Sequence, residues 1–204
     1  MLLSFKTVLY AQGPYMNAEQ AYKFAIEYIK IYRPDFEVSK IPTYFLSTND
    51  IKAINRLCTI YRNWGNAEKA IEIYYMLLDN FERNYYADSD NILWDNHIMI
   101  ICNLAITLSF DVQQYEECIQ IADKGIALIK GNIDKALAYF RLLRCKANAL
   151  MRTGNTQEGE ELHKRCIMFV YTFGENTPHD FTLEMQKTEF EKDFGYKLDL
   201  SILW

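Results

Sequence analysis

The sequence predicts an all-α chain built from repeated helical hairpins, and three observations carry that prediction. Apolar residues recur at intervals of one, three and four. From Ala67 and Ala70 through Ile71, Tyr74, Leu77, Leu78 and Phe81 they fall on one helical face. Residues that stop helices lie where this pattern fails: all four prolines (14, 34, 42, 178) and the glycines at 13, 65, 131, 154, 174 and 195. Small residues also repeat at fixed offsets. Cys58 and Ala70 are twelve apart, as are Ala147 and Gly159, and Gly65 and Gly154 each precede the second small residue by five. Ala105 and Cys118 are thirteen apart, which places one extra residue in that turn.

Taken in order, the breaks delimit about nine helices, at roughly 2–12, 17–32, 49–64, 67–84, 95–110, 114–130, 134–153, 156–173 and 178–194. Ser47-Thr48-Asn49-Asp50 supplies an N-cap with an acid in the first turn. Thr177-Pro178 supplies a cap followed by proline at the first helical position. Paired, the helices give hairpins over 2–32, 49–84, 95–130 and 134–173, then a closing helix over 178–194. Small residues at fixed points let the two helices of a hairpin cross closely, while large residues one turn away fill the gap to the next hairpin. The whole chain, 1–204, reads as one repeat domain.

The stretches "NRLCTIYRNWGNAEKAIEIYYMLL" (55–78), "NLAITLSFDVQQYEECIQIADKGIAL" (103–128) and "CKANALMRTGNTQEGEELHKRCIMF" (145–169) place leucine, small residue, turn glycine or tyrosine, and small residue in one order. That order resembles the tetratricopeptide repeat and implies a right-handed superhelical solenoid. Ala70 to Cys118 is 48 residues and Cys118 to Gly159 is 41, against a usual period of about 34. HEAT and armadillo repeats share the longer period, but lack the register of a turn glycine five before a small residue.

The succession of hairpins, ending in "FEKDFGYKL", is similar to the sensor region of XRE-type, peptide-pheromone-responsive regulators of Gram-positive bacteria. Those join an N-terminal helix-turn-helix to tetratricopeptide repeats. The resemblance implies a peptide-sensing, dimerising C-terminal region of a transcriptional regulator whose helix-turn-helix is absent from this chain. A stand-alone scaffold holding a partner protein's tail or helix is the alternative.

Composition narrows the function classes. Half the residues are apolar and 15% aromatic, which excludes a disordered chain. The formal charge of −5 argues against direct nucleic-acid binding by this chain. Five cysteines form no C-x-x-C pair and sit in apolar helical patterns, so they read as buried thiols of a cytoplasmic protein. Lys6 interrupts the apolar run of "MLLSFKTVLYAQG", and no stretch approaches the ~20 apolar residues of a membrane span.

Catalytic and metal chemistry have no sequence support. His97, His163 and His179 are far apart and none pairs with another at i+3 or i+4, no Cys-His set has zinc spacing, and no phosphate-loop, dinucleotide or serine-elbow motif occurs. The reading is therefore a non-enzyme without cofactor. His97 reads as a solvated residue at a helix start, and His163 as partly packed.

The expected partner is a short peptide or protein segment. In stacked hairpins the first helix of each pair (helix A) lines the concave face and the second (helix B) covers the outside. Helix-A residues outside the apolar seam become the candidates, chiefly Asn55, Arg56, Asn103, Arg141, Arg144 and Asn148. Lys52, Thr59, Arg62, Asn63, Asn96, Met99 and Arg152 flank them. Asparagine both donates to and accepts from an extended backbone, and arginine suits carboxylates. Such a face favours an acidic peptide or a free C-terminal carboxylate. The tail "YKLDLSILW" alternates apolar residues and offers a strand or groove ligand, including to a neighbouring chain.

Overall fold

Helix ends in this protein are fixed by local chemistry that the sequence states openly. In the computed structural model, which describes residues 17–84, 91–129, 132–173 and 182–197, Ser47 and Asp50 form a reciprocal capping box. Ser47 donates its N–H to Asp50 Oδ2 at 2.9 Å and accepts from the Asp50 N–H at 3.2 Å. Gly65 and Gly154 adopt φ of 76° and 89°, the left-handed conformation that closes a helix. Asn66 then donates its N–H to Tyr61 O and Asn155 to Leu150 O, each at 2.9 Å. The two turns are the same motif, which explains the repeated five-residue offset.

Eight α-helices stand among the described residues: α1 (Ala18–Tyr32), α2 (Thr48–Asn63), α3 (Ala67–Asn84), α4 (Asn91–Ile106), α5 (Tyr115–Ile129), α6 (Ala136–Arg152), α7 (Thr156–Phe173) and α8 (Leu183–Phe194). Short 3-10 segments cover Val38–Thr43 and Ile133–Lys135, and a π-helical turn covers Thr107–Asp111. The expected helix at 2–12, the Thr177-Pro178 cap and the tail from Leu198 lie outside the described residues. Two boundaries differ from expectation. The fourth helix starts at Asn91, not near residue 95, and the closing helix starts at Leu183, not at 178. There Thr182 accepts from the Met185 N–H at 3.2 Å, so a later threonine is the cap.

The chain divides into two compact units, one through Thr107 and one from Leu108. The boundary falls inside the hairpin expected at 95–130. In the first unit, Ile51, Ile54 and Leu57 of α2 and Ile73, Tyr74 and Leu77 of α3 are fully buried, as are Cys58 and Ala70. Asn80 is buried and donates to Ile41 O at 2.8 Å and to Tyr44 O at 2.7 Å, tying the 3-10 segment to α3. Arg33 lies 4.5 Å over the Tyr44 ring and donates to Phe45 O at 2.7 Å, anchoring the chain between α1 and α2.

The second unit has a core of Phe140, Leu143, Ala147, Leu150, Leu162, Cys166 and Val170. Gly159 sits at the crossing of α6 and α7, where a Cβ would lie 3.1 Å from Ala147 O and 2.9 Å from Met151 Cγ. The small-residue register is therefore a packing requirement. Phe190 of α8 is fully buried, with ring centroids 4.5 Å from Phe194 and 5.2 Å from Tyr196. Burying one such ring stabilises by roughly 1.5–3 kcal/mol. All five cysteines are buried free thiols. Burial pushes the Cys118 and Cys166 thiols up to about 12, so both stay protonated and unreactive at neutral pH.

Candidate functional site

Each unit presents a polar strip on its A helices, built from residues that the apolar seam leaves over. In the first unit Asn55 on α2 and Asn103 on α4 are half-buried and meet directly: Asn103 Nδ2 donates to Asn55 Oδ1 at 2.8 Å. Asn55 Nδ2 lies 3.9 Å from Met99 Sδ, so Met99 belongs to this strip. Arg56 is also half-buried, one residue along α2. Asn96 and His97 do not behave as expected. Asn96 is buried, and His97 stacks on Phe81 at 4.8 Å and 10°, so it is a packed residue and not a solvated one. With α4 starting at Asn91, residues 96 and 97 lie in its second turn and not at a helix start.

In the second unit Arg144, Asn148 and Arg152 lie along α6 at successive intervals of four, one above another on the helix. Asn148 Nδ2 donates to Ser109 Oγ at 2.8 Å. Arg144 lies 5.0 Å from the centroid of Phe110. Both partners come from the π-helical turn Thr107–Asp111, whose wider coil absorbs the extra residue between Ala105 and Cys118. Gln113 takes the positive φ here (59°), and Gln114 donates its N–H to Leu108 O at 2.9 Å. Arg141 is half-buried on the same helix and does not line this pocket.

The closing helix completes the arrangement. Arg144 Nε donates to Glu189 Oε2 at 3.2 Å and Arg144 Nη2 to Glu189 Oε1, a two-pronged contact. Arg152 Nη2 donates to Asp193 Oδ1 at 3.2 Å. Together with Phe110, Asn148, His163 and Lys192 these groups line a pocket of about 220 Å³. A second hollow of about 400 Å³ shares Phe110, Asn148 and Arg152 and continues past Ser109, Gln113 and Tyr115.

His163 is 6% exposed, with Phe190 and Phe194 edge-on at 5.5 and 6.1 Å. Burial holds its imidazole below the ordinary histidine value. Glu189 and Asp193 pull the other way, and Arg144 adds to the depression. For Lys146, burial alone would lower the ammonium, but Asp123 at 2.9 Å and Glu158 at 3.3 Å outweigh it and raise the value. Sequence reasoning missed Glu189, Asp193, Phe110 and Ser109 as neighbours of the arginines. The signal for the acids is their spacing, four apart on one face of the closing helix.

The side chains lining this hollow offer guanidinium and amide donors, carboxylates, an imidazole and an aromatic ring. Among the described residues no group of three or more His, Cys, Asp or Glu could hold a metal ion, and no helix is long and apolar enough to cross a membrane.

No protein-family model matches this sequence, and no curated protein matches it. Among solved structures, the chain is similar to a kinesin light chain candidate of Podosopora anserina, in the crystal structure of its nearly identical TPR-like repeats. The TM-score is 0.66 at 13% identity, over 95% of this chain and 84% of that one. Identity this low speaks to fold alone, and on the fold the sequence reading and the likeness agree: the chain is an all-helical tetratricopeptide-like repeat.

Proposed function

We propose that residues 1–204 form one repeat domain that binds a short peptide or protein segment on its A-helix faces. It serves as the peptide-sensing, dimerising C-terminal region of a cytoplasmic bacterial transcriptional regulator. One observation carries the binding reading: amide and guanidinium side chains stand half-buried on helix A in both units, outside the apolar seam (Asn55 with Asn103, Arg144 with Asn148). Half-buried amide and guanidinium groups that bond other side chains can exchange those bonds for bonds to an extended peptide. The regulator role rests on the order of hairpins in the sequence.

Displayed random peptides panned on the immobilised full chain test it. Enriched peptides are expected to lose roughly fivefold to a hundredfold in affinity on Asn148→Ala or Arg144→Ala, from ~1 kcal/mol for an amide bond to ~1.5–3 kcal/mol for an arginine–carboxylate contact. Melting temperature serves as the control, since both side chains also hold contacts within the chain. No enrichment, or enriched peptides indifferent to these variants and to Asn103→Ala, would overturn the reading.

A further inference from the structure

We propose that Arg144 and Arg152 form a subsite for a carboxylate-bearing peptide segment, and that Glu189 and Asp193 of α8 hold this subsite as an internal occupant which the incoming segment displaces. The inference rests on the peptide-binding reading above and gives it a ligand chemistry and a competitor.

Four observations converge on it. The two arginines of α6 are engaged by two acids of α8, and the Glu189 contact is the two-pronged geometry that a guanidinium offers any carboxylate. The exchange is between equals. Side-chain exposures are 17% and 36% for Arg144–Glu189 and 48% and 13% for Arg152–Asp193, so in each pair one partner stands open to water and to a competing carboxylate.

The seat of α8 also leaves buried polar atoms unsatisfied. His163 Nε2, and both Nε2 and Oε1 of Gln186, have no hydrogen-bond partner among the described residues. Gln186 is fully buried one turn before Glu189, and His163 lines the pocket itself. Such groups disfavour the arrangement that strands them. A polar ligand entering beside His163 has a donor or acceptor waiting.

Finally, the space is of the right size. At roughly 30 Å³ per water, the 220 Å³ pocket takes one acidic side chain or chain end, and the adjoining 400 Å³ hollow takes its neighbours. Lining side chains carry three cations (Arg144, Arg152, Lys192) and two carboxylates, so withdrawing the internal acids leaves a strongly anion-seeking site.

The test is fluorescence anisotropy with labelled hexaglutamate, as free acid and as C-terminal amide, against hexaglutamine, using the full chain. Glu189→Gln with Asp193→Asn is expected to tighten hexaglutamate binding about tenfold over wild type, with hexaglutamine unaffected; adding Arg144→Gln should cancel the gain. A free acid tighter than its amide assigns the subsite to a chain terminus, and equal binding assigns it to side chains. Because the double variant could loosen α8, the wild-type His163 ring is followed by NMR as hexaglutamate is added, and its resonances are expected to move. Unchanged affinity in a folded double variant, or a His163 ring blind to saturating hexaglutamate, overturns the proposal. Panned peptides that bind wild type without acidic preference, and equally to the double variant, would leave the broader binding reading standing and remove this one.

Discussion

Asn80 is a single side chain that holds a segment in place. Its amide donates to two carbonyls, Ile41 O and Tyr44 O, which also accept from Tyr44 N–H and from Asn84 Nδ2 respectively. Asn80→Ala is expected to cost about 1–3 kcal/mol in thermal or urea unfolding, because two buried hydrogen bonds are lost at once, although each carbonyl keeps its second donor. His163 gives a pH signature. Its folded-state value lies below the ordinary 6.5, so the unfolded chain binds the extra proton as the solution acidifies. Stability is expected to be at its full value above about pH 6.5, and to fall as pH drops through that value toward the depressed one. His163→Leu should flatten this slope in urea titrations at pH 8 and pH 5. Asn55 and Asn103 should couple by about 1 kcal/mol in a double-mutant cycle of unfolding. Their positions were readable from sequence, since they fall outside the apolar seam. Their contact was not, because 48 residues separate them and nothing local states which turns face each other. The same applies to Arg144 and Glu189, 45 residues apart.

Helices and turns were readable to the extent that their determinants are local. Ser47 and Asp50 state the start of α2, and Ser47→Ala is expected to cost about 1 kcal/mol by melting. The Gly65 and Gly154 turns were readable because a left-handed residue favours glycine. The π-helical turn was visible only as an extra residue, since Gln113 occupies the position where the other turns use glycine. Its effect on the site, presenting Phe110 and Ser109 to α6, had no sequence signal. The closing helix Leu183–Phe194 starts at the Thr182 cap, a signal the sequence reading passed over in favour of Thr177-Pro178, which lies outside the described residues. At the α6–α7 crossing, Gly159→Val is expected to destabilise by roughly 1–3 kcal/mol. The Met151 side chain can yield, but the Ala147 carbonyl cannot.

For the molecule as a whole, period and register gave the fold class, while the division at Thr107 and Leu108 did not follow from either. Repeats bury their cores between neighbours, so composition changes little across such a boundary. The functional reading depends on which faces exchange partners with a peptide, and backbone hydrogen exchange of the full chain reads that helix by helix. An enriched peptide is expected to slow exchange on α2, α4 and α6, and to speed it on α8 as Glu189 and Asp193 are displaced. Protection confined to α3, α5 and α7, with α8 unchanged, would contradict binding on the A-helix faces.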